Sequence, residues 1–157
     1  MPQKQDYLLR LLEELGRFLQ EIRHLRVAGH GDAALLTVLQ AQERLFARPA
    51  REFLSRPLDE QLHLLVVGEQ PADARAKCLA YAELLTEAAR VYAAREQTAL
   101  AVGAAQLALT ILLDVRERQP DADPEPLRLL ALPLLSLLPE DELAAEARVR
   151  LGLSAPG

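Results

Sequence analysis

Residues 8–26 read LLRLLEELGRFLQEIRHLR, and the spacing within them decides the fold class. Leu8, Leu11, Leu12, Leu15, Phe18, Leu19, Ile22 and Leu25 recur at steps of three and four, the period that lines one face of an α-helix. A half-buried strand would alternate every second residue instead. The opposite face carries Glu13, Arg17 and Glu21 at four-residue steps, where unlike charges meet along a helix. Arg23 and Arg26 sit in its last turn, where cations suit the negative end of the helix dipole. Gly29 and Gly31 then break the pattern.

The same period continues outward from this segment. Asp32 is placed to cap a second helix that carries Leu35, Leu36, Val38, Leu39, Leu45 and Phe46, with Pro49 as its limit. A short helix is expected over residues 50–54. Another starts near Pro57, turns Leu58, Leu62 and Leu65 inward and ends at Gly68. Pro71 and Asp73 open a long helix reaching about residue 94, and the next runs from about 97 to 119. Residues 120–126 hold three prolines and three acids and read as a solvent loop. Residues 127–138 form an apolar helix that Pro133 should bend or break. A last helix covers residues 140–151, and 152–157 are a frayed tail. β-branched residues, which strands favour, are sparse. The expectation is one all-α domain over residues 1–151, a bundle of six to seven helices.

Composition narrows the function classes. Half of the 157 residues are hydrophobic, so a real core can be built. A net charge of −5 and only 4% aromatic residues argue against nucleic acid, which asks for a concentrated positive face or stacking platforms. Cys78 is the only cysteine and has no internal disulfide partner, which points to a reducing, cytoplasmic setting. The N-terminus carries Lys4, Asp6 and Arg10 and lacks the apolar core of a signal peptide. The most apolar stretch, residues 99–113, is interrupted by Gln106 and is shorter than the roughly 18 to 20 residues that cross a bilayer. It reads as a buried helix of a soluble bundle with no membrane partner.

Helix pairs invite comparison with tetratricopeptide repeats. On the fourth and fifth main helices, Leu85 takes the tryptophan position of that motif, Ala88 and Ala89 the Leu-Gly pair, and Tyr92 the tyrosine. Ala101 and Ala108 fall where the second helix needs small side chains for close approach. Ala105 and Leu113 depart from the motif, which has a large residue and a proline there. Leu12, Leu15, Gly16 and Leu19, followed by Ala34, Val38 and Ala41, give a fainter echo across a longer loop. An ordinary bundle with alanine-rich seams explains the same residues, and both readings stand at this point. The opening Gln5-Asp6-Tyr7-Leu8-Leu9-Arg10 resembles the start of a family of short bacterial helical proteins of unknown function, whose members begin Q-D-Y-[IL]-x-R. Residues 54–62 and 82–85 resemble that family's linker helix and tetratricopeptide-like pair. The resemblance implies a helical fold and carries no catalytic residues.

The chemistry-bearing residues do not assemble into a motif. Glu21 with His24 and Glu60 with His63 have the Glu-x-x-His spacing of carboxylate metal sites. At about 100° per residue, however, each histidine lies opposite its helix's apolar stripe and points to water. No metal or cofactor is therefore expected. Cys78 reads as a buried thiol, with no histidine near it in sequence to act as a base. Ser55, Ser136 and Ser154 lie outside any nucleophile turn. Gly29-His30-Gly31 is an interhelical loop with His30 exposed, too short for a phosphate cradle. Asp121, Asp123 and Glu125 lack the glycine of a calcium loop and are interrupted by proline. Arg90, Arg95, Arg116 and Arg118 read as surface or dipole-compensating charges, with an acidic peptide as a secondary use. The leading functional expectation is a non-catalytic protein-interaction or scaffold module. The alternatives are a homodimer or other homo-oligomer seamed by the first helix through Leu11 and Phe18, and an enzyme whose site is assembled from distant residues.

Overall fold

The computed structural model describes residues 2–138 and 142–153. Among these it contains eight helices and no strand: α1 (Pro2–Val27), α2 (Gly31–Phe46), α3 (Ala50–Phe53), α4 (Leu58–Val66), α5 (Pro71–Ala94), α6 (Thr98–Arg118), α7 (Glu125–Leu137) and α8 (Glu142–Leu151). The count exceeds the expected six to seven, with α3 a single turn between two prolines. The expected start of the last helix at Glu140 and most of the frayed tail, residues 154–157, lie outside the described residues.

Helix α5 occupies the centre. It packs on α1, α2, α4, α6 and α7, and its interface with α6 is the most extensive in the molecule. Small side chains make that closeness possible, since interaxial distance follows the size of the residues at the contact. Ala82, Ala88 and Ala89 of α5 and Ala101, Ala104, Ala105 and Ala108 of α6 are all buried, as the motif frame expected of Ala101 and Ala108. Leu85 is buried too, and Tyr92 packs half-buried against the core. In α2, Ala34, Val38 and Ala41 line the buried face. Gly16 does not play the close-approach role: a methyl group there would meet nothing within 4 Å.

Aromatic packing joins α2, α3 and α5. The Phe46 and Phe53 rings stack with centroids 4.1 Å apart, and Phe46 meets Tyr81 edge-on at 5.0 Å. The Tyr81 hydroxyl donates to Gln61 Oε1 at 2.5 Å, and Gln61 Nε2 donates to the Arg56 carbonyl at 2.9 Å. The one polar tip in this corner is thereby satisfied, as buried hydroxyls require.

Several local expectations change. Asp32 does not cap α2. It lies in the helix's first turn, with His30 at the cap, and its Oδ1 accepts from Arg95 at 2.6 Å. Leu36 faces solvent rather than the core. Pro133 does not break α7, which is helical from Glu125 to Leu137. The carbonyl that loses its donor belongs to Leu129, a residue on the exposed side of the helix. Leu11, Leu15, Leu19 and Ile22 of α1 are buried within the chain's own core, and Phe18 is half-buried. At 21 residues, α6 is the one helix among the described residues long and apolar enough to cross a membrane. Nine of its residues are buried against its neighbours, while Leu100 and Leu107 are exposed. The α1–α2 turn uses Gly29 at φ +81°, with the His30 N–H donating to the Leu25 carbonyl at 2.8 Å, a left-handed helix end that glycine adopts without steric cost.

The alanine seam generates a direct test. Ala108→Leu should overpack it and cost about 1–3 kcal/mol in urea unfolding. Leu107→Ala, one residue along and exposed, should stay within about 0.5 kcal/mol of the parent. The reverse ranking would place the wrong face of α6 against α5.

Candidate functional site

The residues singled out for chemistry lie apart. His24 on α1, His63 on α4 and His30 in the first loop are all exposed. Among the described residues no group of three or more His, Cys, Asp or Glu side chains is arranged to hold a metal ion. Ser55 and Ser136 donate to the nearby Arg51 and Pro133 carbonyls, and Ser154 lies outside the described residues. Asp123 Oδ1 accepts from the Glu125 backbone N–H at 3.0 Å, which starts α7. Cys78 is buried as expected. Burial, and then the negative charge of Asp114, push its thiol up to about 11.

Helical period gave no sign of one buried charged cluster. Glu87 sits in the middle of α5 and is only 2% exposed. Its Oε1 accepts from Arg23 Nε and Arg90 Nη1, both at 3.0 Å, while Arg26 Nε approaches Oε2 at 3.6 Å, too far for a hydrogen bond. Arg23, Arg26 and Arg90 therefore gather on the core carboxylate while staying partly exposed. Glu83, one turn earlier, is half-buried. Desolvation raises its pKa, the charge of Arg23 opposes that, and Glu87 reinforces it. A carboxylate among Leu84, Leu85, Ala88 and Ala89 was the available signal, because such a charge enters a core only when paired.

A cavity of about 280 Å³ opens where the end of α4, the first turns of α5 and the end of α6 meet. Val66, Pro71, Ala74, Cys78 and Val115 make its apolar wall, and Glu69, Arg75, Arg118 and Gln119 its rim. Glu69 is paired with Lys77 at 3.0 Å and Lys4 at 3.7 Å, and Arg118 with Asp114 at 2.8 Å. Arg75 donates to the Asp123 carbonyl at 3.0 Å and to Gln119 Oε1 at 3.5 Å, both neutral acceptors. The rim is thus polar and cationic over an apolar wall. No family model, curated protein or solved structure matches this chain.

Two measurements follow. With its pKa near 11, Cys78 holds roughly 100-fold less thiolate at neutral pH than an ordinary thiol. Iodoacetamide should alkylate it at least that much more slowly in the folded protein than in urea, and equal rates would place the thiol at the surface. Glu83 sets a pH dependence. Its folded pKa lies above its unfolded value near 4.5, so the folded state holds the proton longer. Its contribution is fully present below that pH and is lost as pH rises through the folded pKa. Glu83→Gln should therefore flatten the fall in stability just above pH 4.5, and an unaltered slope would contradict its burial.

Proposed function

We propose that this chain is a non-catalytic protein-interaction module with a tetratricopeptide-like helix pair, and that it makes contact through the outer face of α7. The observation that carries the reading is that α7 is apolar on two sides. Leu127, Ala131, Leu134 and Leu135 are buried in the core. Leu129 and Leu132, 60% and 53% exposed, stand one turn apart on the other side, and Val149 of α8 is also exposed. Large apolar side chains left in water on the outer side of a helix mark a surface for a covering chain. The repeat-like reading draws support from α5 and α6, where Leu85, Ala88, Ala89, Ala101 and Ala108 are buried at the motif's close-packing positions. It is confined to that pair, given the open space around Gly16. Fewer than three repeats leave open ends, which repeat folds normally cap. The inert burial of Cys78 and the outward histidines support a non-catalytic role, and a free thiol suits a cytoplasmic setting.

The test is light scattering at two salt concentrations, alongside capture from extracts of the native cell. The parent should self-associate or retain a protein, and association should persist in high salt because apolar contacts are not screened. Leu129→Glu with Leu132→Glu should abolish it with helicity intact. A strictly monomeric parent that retains nothing, or association indifferent to the double substitution, would overturn the proposal.

A further inference from the structure

We propose that the cavity between α4, α5 and α6 binds a small monocarboxylic acid, with its carboxylate on Arg75 and its apolar body against Val66, Ala74, Cys78 and Val115. The inference is independent of the α7 surface. An apolar concavity with a few convergent polar groups at one end is the ordinary form of a small-molecule site. The polar end here is cationic. Lys4, Lys77, Arg75 and Arg118 stand against the two carboxylates Glu69 and Asp114. Those carboxylates are taken by the lysines and by Arg118. Arg75 is left with two neutral acceptors and, among the described residues, no carboxylate within 4.0 Å. Its guanidinium has five donors in a planar fork that matches a carboxylate bidentately. The loop atoms of Gln119 and Asp123 hold that fork in place beforehand, which lowers the ordering cost of binding.

Charge and size narrow the class. Glu69 on the same rim disfavours a second negative charge, so a monoanion fits where a phosphate or a dicarboxylate does not. A volume of about 280 Å³ holds roughly nine groups of the size of a water molecule. That is room for a linear acid of about six carbons. The wall offers no hydrogen-bonding side chain apart from the thiol, so the body of the ligand carries no hydroxyl or amine.

The experiment is calorimetric titration of the full chain with hexanoate, hexan-1-ol and hexylamine, with melting temperature read in parallel. Hexanoate should bind saturably and raise the melting temperature, while the alcohol and amine bind at least tenfold more weakly. Arg75→Gln should cost at least tenfold in hexanoate affinity. Val115→Phe, which fills the wall, should abolish binding with helicity retained. Because the comparison of three ligands uses the parent protein, the test survives a variant that fails to fold. Equal binding of hexan-1-ol, or no saturation by hexanoate up to about 10 mM, would overturn the proposal. So would saturation by a tripeptide with a free leucine carboxylate but not by hexanoate, which would assign the cavity to a chain terminus.

Discussion

The close approach of α5 to α6 is the constraint on which the rest of the structure depends. Five helices pack on α5, and no regular element can be surrounded in that way unless some of its faces are small. Alanines at positions 82, 88 and 89 supply those faces, and Ala101, Ala104, Ala105 and Ala108 answer them across the seam. Large residues then fill the spaces left elsewhere. Tyr81 points from α5 into the corner made by Phe46 and Phe53, and Leu109, Ile111 and Leu112 fill the remaining core on α6. Alanine contributes little transfer free energy of its own. Its value lies in the dispersion attraction between two backbones that it allows to meet at interior density.

The same enclosure explains the buried carboxylate. With α5 covered by α1, a charge at position 87 has no route to water, and desolvating it costs several kcal/mol. Arg23 and Arg26 on α1, and Arg90 one turn away, offset that cost, and being partly exposed they keep some hydration of their own. Such an arrangement returns little net stability compared with an apolar residue of the same size. What it does supply is geometry. Arg23 and Arg26 reach Glu87 from α1 at 3.0 and 3.6 Å, so the cluster ties α1 to the middle of α5.

Much of this was legible in the residues, and the exceptions share a cause. Amphipathic period revealed α1, and proline and glycine punctuation placed α3 to α6 to within a few positions. The outward histidines followed from helical angle alone. Reading each helix singly could not show which of its faces a neighbour would cover. Leu36 has the spacing of a core residue and faces water, because α2 turns Ala34, Val38 and Ala41 toward its neighbours. Glu87 looks like a surface acid until α1 is laid over it. Asp32 has the composition of a cap, yet its carboxylate binds Arg95 from the turn beyond α5, 63 residues away. Pro133 shows the opposite limit: a local rule expected a bend or break, and α7 stays helical through it. The cavity was beyond reach, since Val66, Cys78 and Arg118 belong to three helices and carry no shared motif.

The loop between α6 and α7 connects these parts physically. Gln119 Nε2 donates to the Pro71 carbonyl at 2.8 Å, and Arg75 donates to the Asp123 carbonyl at 3.0 Å, so both ends of the loop are tied to the first turns of α5. Proline at 120 and 124 stiffens the segment between them. These bonds hold the loop from which α7 departs, and the helix's own buried leucines pack it on α5 and α6. Arg75 thus serves two structures at once. It faces the cavity, and it anchors the loop from which α7 departs. A carboxylate drawn onto its fork would compete for donors with the Asp123 carbonyl, and five donors are enough for both only if the guanidinium keeps its present plane. The cavity and the outer face of α7 are distinct surfaces, joined only through the loop that Arg75 holds.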